Sequence, residues 1–108
     1  MLHKRAVIIG GGTMGADVAA IFAAGGMGVD IVQRPGRTRD TLRARLERSI
    51  RELGATKFDV SLCDALRDVA WKDVGIVVES VSEDLPLKQK IFAELDALAP
   101  AGIALTSN

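Results

Sequence analysis

Apolar residues in this chain fall into two patterns, short nearly unbroken runs and longer stretches where they return every three or four positions. Ala6 to Ile9 and Val29 to Val32 are runs of the first kind. Gly75 to Val81 is another, as expected of a parallel strand covered on both faces. Phe58 to Cys63 reads as a weaker third strand and Gly102 to Thr106 as a fifth. The second pattern begins at Thr13 and runs to Ala24, with Met14, Val18, Ile21 and Phe22 on one face. Gly15, Ala19 and Ala23 form a row of small residues that would let this helix lie close on a sheet. From Arg39 to Leu53, apolar Leu42, Leu46, Ile50 and Leu53 share a stripe, while Arg43, Arg45, Glu47, Arg48, Arg51 and Glu52 fall largely elsewhere. Asp64 to Lys72 is short helical or irregular. Asp84 is placed to cap a last helix with Pro86 in its first turn. Leu87, Ile91, Leu95 and Leu98 make its stripe, and Pro100 marks its exit.

Strands alternating with helices through short loops predict right-handed crossovers and a parallel sheet. The expected fold is α/β, a Rossmann-like doubly wound sheet of about five strands in the order 3-2-1-4-5, with helices on both faces and residues 1–108 as one domain. In that order strands one and four flank the topological switch point. The turn after strand one, the segment Val81 to Glu83 and the terminal Ser107-Asn108 then converge on one crevice.

The turn after strand one carries the clearest chemistry. Gly10, Gly12 and Gly15 stand at G-x-G-x-x-G spacing between a strand and a helix start. The first glycine permits a sharp turn, the second leaves room for a pyrophosphate, and the third lets helix and strand pack closely. The amides of Thr13 and Met14 would stand near that pyrophosphate, at the positive end of the helix. The end of strand two departs from the usual pattern. An Asp or Glu commonly holds the adenosine ribose there, whereas this chain has Gln33 followed by Arg34, with Arg37 and Arg39 close by. A glutamine can hydrogen-bond a ribose hydroxyl but repels no phosphate, so both NAD and NADP are open. Asp30 lies earlier in the strand and is less well placed.

Charge and composition narrow the partners. Fourteen basic residues balance fourteen acidic ones, so no global field recruits nucleic acid or an anionic membrane. The arginines of the second helix read as a solvated face, since acids are mixed among them and no aromatics interleave. Cys63 is the only cysteine, which excludes an internal disulfide and a thiolate metal cluster and fits a reducing cytoplasm. Cys63 and Trp71 read as packing residues and His3 as a surface histidine, with no metal site. The first five residues carry charge without a leader-type apolar segment, and a cytoplasmic location is expected.

Three blocks, GGGTMG, VVESVSEDLPLKQKIFAELD and ALTSN, resemble the N-terminal NAD-binding domain of the 3-hydroxyacyl-CoA dehydrogenase family, over nearly the whole chain. The resemblance implies an oxidoreductase of fatty acid metabolism, homodimeric when intact, that oxidises a 3-hydroxyacyl substrate by hydride transfer to nicotinamide. It implies that Glu83 and Lys88 line the nicotinamide-ribose side of the cofactor and that Asn108 stands beside the ring, with Val81 on the same wall. Glu79, matched by a glutamate in the family, is expected to support the site from behind. The family's catalytic histidine and its glutamate partner lie beyond the Ser-Asn motif, as does its helical substrate domain. No catalytic residue is therefore assigned in this chain, which alone is expected to be inactive. The family's longer helical hairpin, which helps hold coenzyme A, has too little room between Arg39 and Phe58, so an acyl-CoA substrate is less secure than the reaction class. Two alternatives stay open: a stand-alone NAD(P)-binding sensor or scaffold, and a domain of an NADP-dependent hydroxy-acid dehydrogenase with a non-CoA substrate.

Overall fold

The computed structural model describes residues 5–81, 84–100 and 102–107. β1 (Arg5–Ile9) is the middle strand of a sheet completed by β2 (Gly28–Val32), β3 (Val60–Cys63), β4 (Val74–Glu79) and β5 (Ala104–Ser107). All pairings are parallel and the order is β3-β2-β1-β4-β5, as the strand and helix alternation predicts. Ile8 stands opposite Ile31 on one side and Val78 on the other, so the central rows are aliphatic throughout.

Helices α1 (Thr13–Ala24) and α2 (Arg37–Glu52) cover one face of the sheet, and α3 (Leu85–Leu98) covers the other. Strand boundaries differ from the sequence reading by a few residues: β3 starts at Val60, β4 stops at Glu79, and β5 runs on to Ser107. The stretch after β3 resolves into two 3-10 turns, Leu66–Asp68 and Trp71–Asp73. Trp71 packs against the core between the sheet and α3 and donates its indole N–H to the Leu66 carbonyl at 2.9 Å.

The inward face of α1 differs from the one its large residues suggest. Gly15, Ala16, Ala19, Ala20 and Ala23 are buried, while Met14 is 57% and Ile21 63% exposed. Close approach of the helix to the sheet selects small side chains, as the row Gly15, Ala19 and Ala23 implies; Val18 and Phe22 pack at the margin of the core and Met14 and Ile21 are left outside. α2 follows its stripe through Leu42, Leu46 and Ile50, which are buried and contribute roughly 1.5–3 kcal/mol each, whereas Leu53 falls at the C-cap beyond the last helical turn and is exposed. Its arginines do more than face water. Arg39 donates to the Leu62 carbonyl at 3.4 Å and Arg43 to the Val60 carbonyl at 3.3 Å, along the outer edge of β3.

At the amino end of the sheet, Arg5 lies across Gly28 and reaches two acids. It meets Asp30 twice, at 2.9 and 3.2 Å, and Asp59 at 2.5 Å. These hydrogen bonds raise the already high pKa of the guanidinium further, and burial opposes them only in part. Asp30 is thus engaged by Arg5 and is not among the residues that line the crevice.

Candidate functional site

The carboxyl ends of β1, β2 and β4 meet at the glycine turn. Gly10 has φ of 101°, a left-handed conformation that favours glycine. Its amide donates to the Val32 carbonyl at 2.9 Å, and the Ser80 amide donates to the Ile9 carbonyl at 2.8 Å. The turn is therefore strung between β2 and β4. A Cβ on Gly15 would run into the carbonyl oxygen of Gly10, so the first turn of α1 rests directly on the glycine turn. Gly12 is the opposite case: nothing lies within 4 Å of where its Cβ would be. It is the N-cap of α1, and no side chain caps this helix end. The first-turn amides of a helix lack intrahelical acceptors, and their partial positive charge suits a phosphate. A strained turn, a close helix and an open N-cap match the three tasks of a dinucleotide cradle, and a pyrophosphate fits here.

From the turn a crevice of about 560 Å³ extends between β2 and α3. Gly10, Gly12, Gln33, Arg34 and Val81 line it, which brings together five of the residues expected from sequence. Thr13 and Met14 follow at the start of α1, and Thr13 Oγ1 lies 3.5 Å from Arg45 on α2. Other wall residues, including Thr38, Asp64, Lys90 and Glu94, were not singled out in the sequence, and Leu87 and Ile91 were read there only as packing residues. Thr38 and Asp64 were within reach of the rule that ligands bind beyond the carboxyl ends of parallel strands. Glu83 and Asn108 lie outside the described residues, as does His3.

Gln33 does more than line the wall. Its Oε1 accepts the Gly11 amide at 2.6 Å, which ties the end of β2 to the glycine turn and leaves the carboxamide NH2 as the donor. Next to it, Arg39 forms an ion pair with Asp64. Across the site, Glu79 is fully buried at the end of β4 and accepts the Val81 amide at 2.7 Å. Lys88, whose side chain is 14% exposed, stands 3.4 Å from the same carboxylate. The charge that interrupts an otherwise apolar strand is thus compensated by a lysine and a backbone N–H, as a buried charge requires. Asp84 caps α3 by accepting from the Leu87 amide at 3.1 Å, which fixes the start of the helix that carries Lys88.

Cys63 ends β3 and packs against the core between the sheet and α3. Burial pushes its thiol pKa up, and Asp30 and Asp68 add to the effect. Iodoacetamide labelling of the folded chain should therefore be slow at neutral pH, with a rate inflection above that of a free cysteine, and should speed up in urea. Because the folded pKa is raised, the neutral thiol contributes stability below its unfolded pKa, and that stability is lost as pH rises through the folded value. An inflection at or below the free-thiol value would contradict the burial. Among the described residues no cluster of His, Cys, Asp or Glu could hold a metal ion, and no helix is long and apolar enough to cross a membrane.

Comparison with known proteins agrees with this geometry. Residues 5–108 match the family model described as 3-hydroxyacyl-CoA dehydrogenase, NAD binding domain. The peroxisomal bifunctional enzyme of Danio rerio is 34% identical over 115 residues, which cover 97% of this chain and 15% of that enzyme. The mitochondrial hydroxyacyl-coenzyme A dehydrogenase of Mus musculus is 28% identical, over 100% of this chain and 39% of its own length. A solved diketoreductase superposes with a TM-score of 0.78 at 25% identity, covering 100% of this chain and 42% of that one. The chain thus spans well under half the length of each of these relatives. A glycine turn with an open N-cap, a five-stranded parallel sheet and a match from end to end lead to one assignment: the chain belongs to the NAD-binding domain family of the 3-hydroxyacyl-CoA dehydrogenases.

Proposed function

We propose that this chain is the cofactor-binding wall of an oxidoreductase that interconverts a hydroxyl and a carbonyl on a 3-hydroxyacyl substrate. The observation that carries the reading is the contrast within the glycine turn, where a Cβ is forbidden at Gly15 by the Gly10 carbonyl and meets open space at Gly12. The first-turn amides of α1 hold the pyrophosphate, and the end of β2 with Gln33 and Arg34 faces the adenosine ribose. Glu79 fixes the backbone at Val81, and Lys88, with Glu83 and Asn108, serves the nicotinamide side. When bound, the nicotinamide accepts or returns a hydride. The proton that leaves the substrate hydroxyl is taken by a base outside this chain. A reducing compartment such as the cytoplasm suits the single thiol.

Titration of the chain with NADH tests the cofactor reading directly. Saturable binding is expected, and Gly12→Val should weaken it by about a hundredfold or more, since a branched side chain would occupy pyrophosphate space and forfeit charge-assisted contacts worth roughly 1.5–3 kcal/mol each. Because Gly12 is open in the fold, the variant should keep the thermal stability of the parent. Binding undiminished in Gly12→Val would remove the phosphate cradle.

One observation favours a second reading of the substrate. α2 is a single helix that ends at Glu52 and returns to β3 at Val60 without a second arm. The solved diketoreductase, which acts on dicarbonyl compounds, shares this fold. A non-CoA hydroxy or carbonyl compound is then the substrate, and assays of the complete enzyme with acyl-CoA and free hydroxy-acid pairs distinguish the two.

A further inference from the structure

We infer that the crevice admits a phosphate ester on the adenosine ribose, so that the chain binds NADPH at least as tightly as NADH. The inference rests on the dinucleotide reading above and deepens it. A carboxylate at the end of β2 accepts from the ribose hydroxyls and repels a 2′-phosphate. This chain has no carboxylate there. Gln33 is neutral, and its acceptor oxygen is committed to the Gly11 amide at 2.6 Å. What it retains is an NH2 group, which can donate to a phosphate oxygen.

The surrounding charges point the same way. Arg34 follows on the same wall and is exposed. Among the described residues it is in no ion pair, whereas nearby Arg39 is consumed by Asp64 and the Leu62 carbonyl. The Asp64 carboxylate, which would otherwise oppose an anion, is neutralised by that pairing. Glu94, the other acid on the wall, sits on α3 one turn beyond Lys90, which also faces the crevice. The hydroxyl of Thr38 completes the β2–α2 side. A guanidinium, an amide NH2 and a hydroxyl, with Asp64 paired to Arg39 and Glu94 set on the α3 side of the crevice, make a donor set for a phosphate.

Isothermal titration of the chain with NADH, NADPH, 5′-AMP and 2′,5′-ADP tests this. NADPH should bind as tightly as NADH or more tightly, and 2′,5′-ADP should bind more tightly than 5′-AMP. Arg34→Glu should weaken NADPH by about tenfold more than NADH, as expected when an attractive charge near a phosphate becomes repulsive. Gln33→Glu keeps an acceptor for the Gly11 amide and adds a negative charge, so it should move the preference toward NADH. Circular dichroism of both variants should match the parent, because Arg34 is exposed and Gln33 keeps its length. The inference is overturned if NADPH binds the parent more than about tenfold more weakly than NADH, a penalty of one decade in Kd. Equal losses for both cofactors in Arg34→Glu would overturn it as well. Binding of neither dinucleotide defeats the cofactor reading itself, whereas NADH binding without NADPH binding defeats only the 2′-phosphate site.

Discussion

Gly15→Ala is expected to unfold the glycine turn's support and abolish NADH binding together. The added methyl would meet the carbonyl oxygen of Gly10, lie 3.2 Å from its carbon, and lie 3.5 Å from Cγ2 of Ile8. None of these neighbours can yield easily. Gly10 is held at positive φ and hydrogen-bonded to β2, and Ile8 is wholly buried in the central strand. α1 must therefore lift from the sheet, and the small residues Ala16, Ala19 and Ala20 lose the contacts that bury them. Overpacking of this kind costs roughly 1–3 kcal/mol. For a chain of this size that is a fall in Tm of about 4–8 °C for each kcal/mol. Thermal unfolding by circular dichroism and NADH titration, run on the same preparation, check both effects. Full binding with an unchanged Tm would mean that α1 does not rest on the turn as described. The contrast with Gly12→Val is informative, because that substitution should remove binding and spare the fold.

The second large effect is expected at Glu79. Glu79→Ala removes a fully buried carboxylate that accepts the Val81 amide and pairs with Lys88. Breaking one side of a buried ion pair costs about 3–5 kcal/mol, because the remaining charge keeps its desolvation penalty and loses its compensation. Glu79→Gln keeps an acceptor for Val81 and should cost less. The double variant Glu79→Leu with Lys88→Met should recover much of the loss, since well-packed apolar replacements of a buried pair are often neutral. Denaturant unfolding of the three variants measures the order. If Glu79→Ala proves no less stable than the double variant, the pair carries little of the local structure.

The parallel order of the sheet and the dinucleotide turn were legible because both are written locally. Each strand is a short apolar run, each crossover is short, and the turn at Gly10 and the close helix packing at Gly15 follow from the glycine spacing. The cap at Asp84 and the buried face of α2 were legible for the same reason. On α1 the row Gly15, Ala19 and Ala23 was legible as the face laid on the sheet, but the exposure of Met14 and Ile21 was not, because hydrophobicity alone favours burying large residues. Contacts between distant residues left no local mark. Arg5 meets Asp59 across 54 positions and Gln33 meets Gly11 across 22, and neither pairing is implied by the residues around it. The consequence at Gln33 is functional, since the residue expected to serve the ribose also builds the turn.

The arginines of α2 along β3 set a direction for any larger assembly. By donating to the Val60 and Leu62 carbonyls, Arg43 and Arg39 occupy acceptors that an incoming strand would need. An edge blunted in this way resists chance pairing with another molecule and the aggregation that follows from it. β5 lies at the other end of the order, so a strand from elsewhere in a longer polypeptide would extend the sheet from there. The side chains that finish one border thus distinguish the β3 edge of the sheet from the β5 edge.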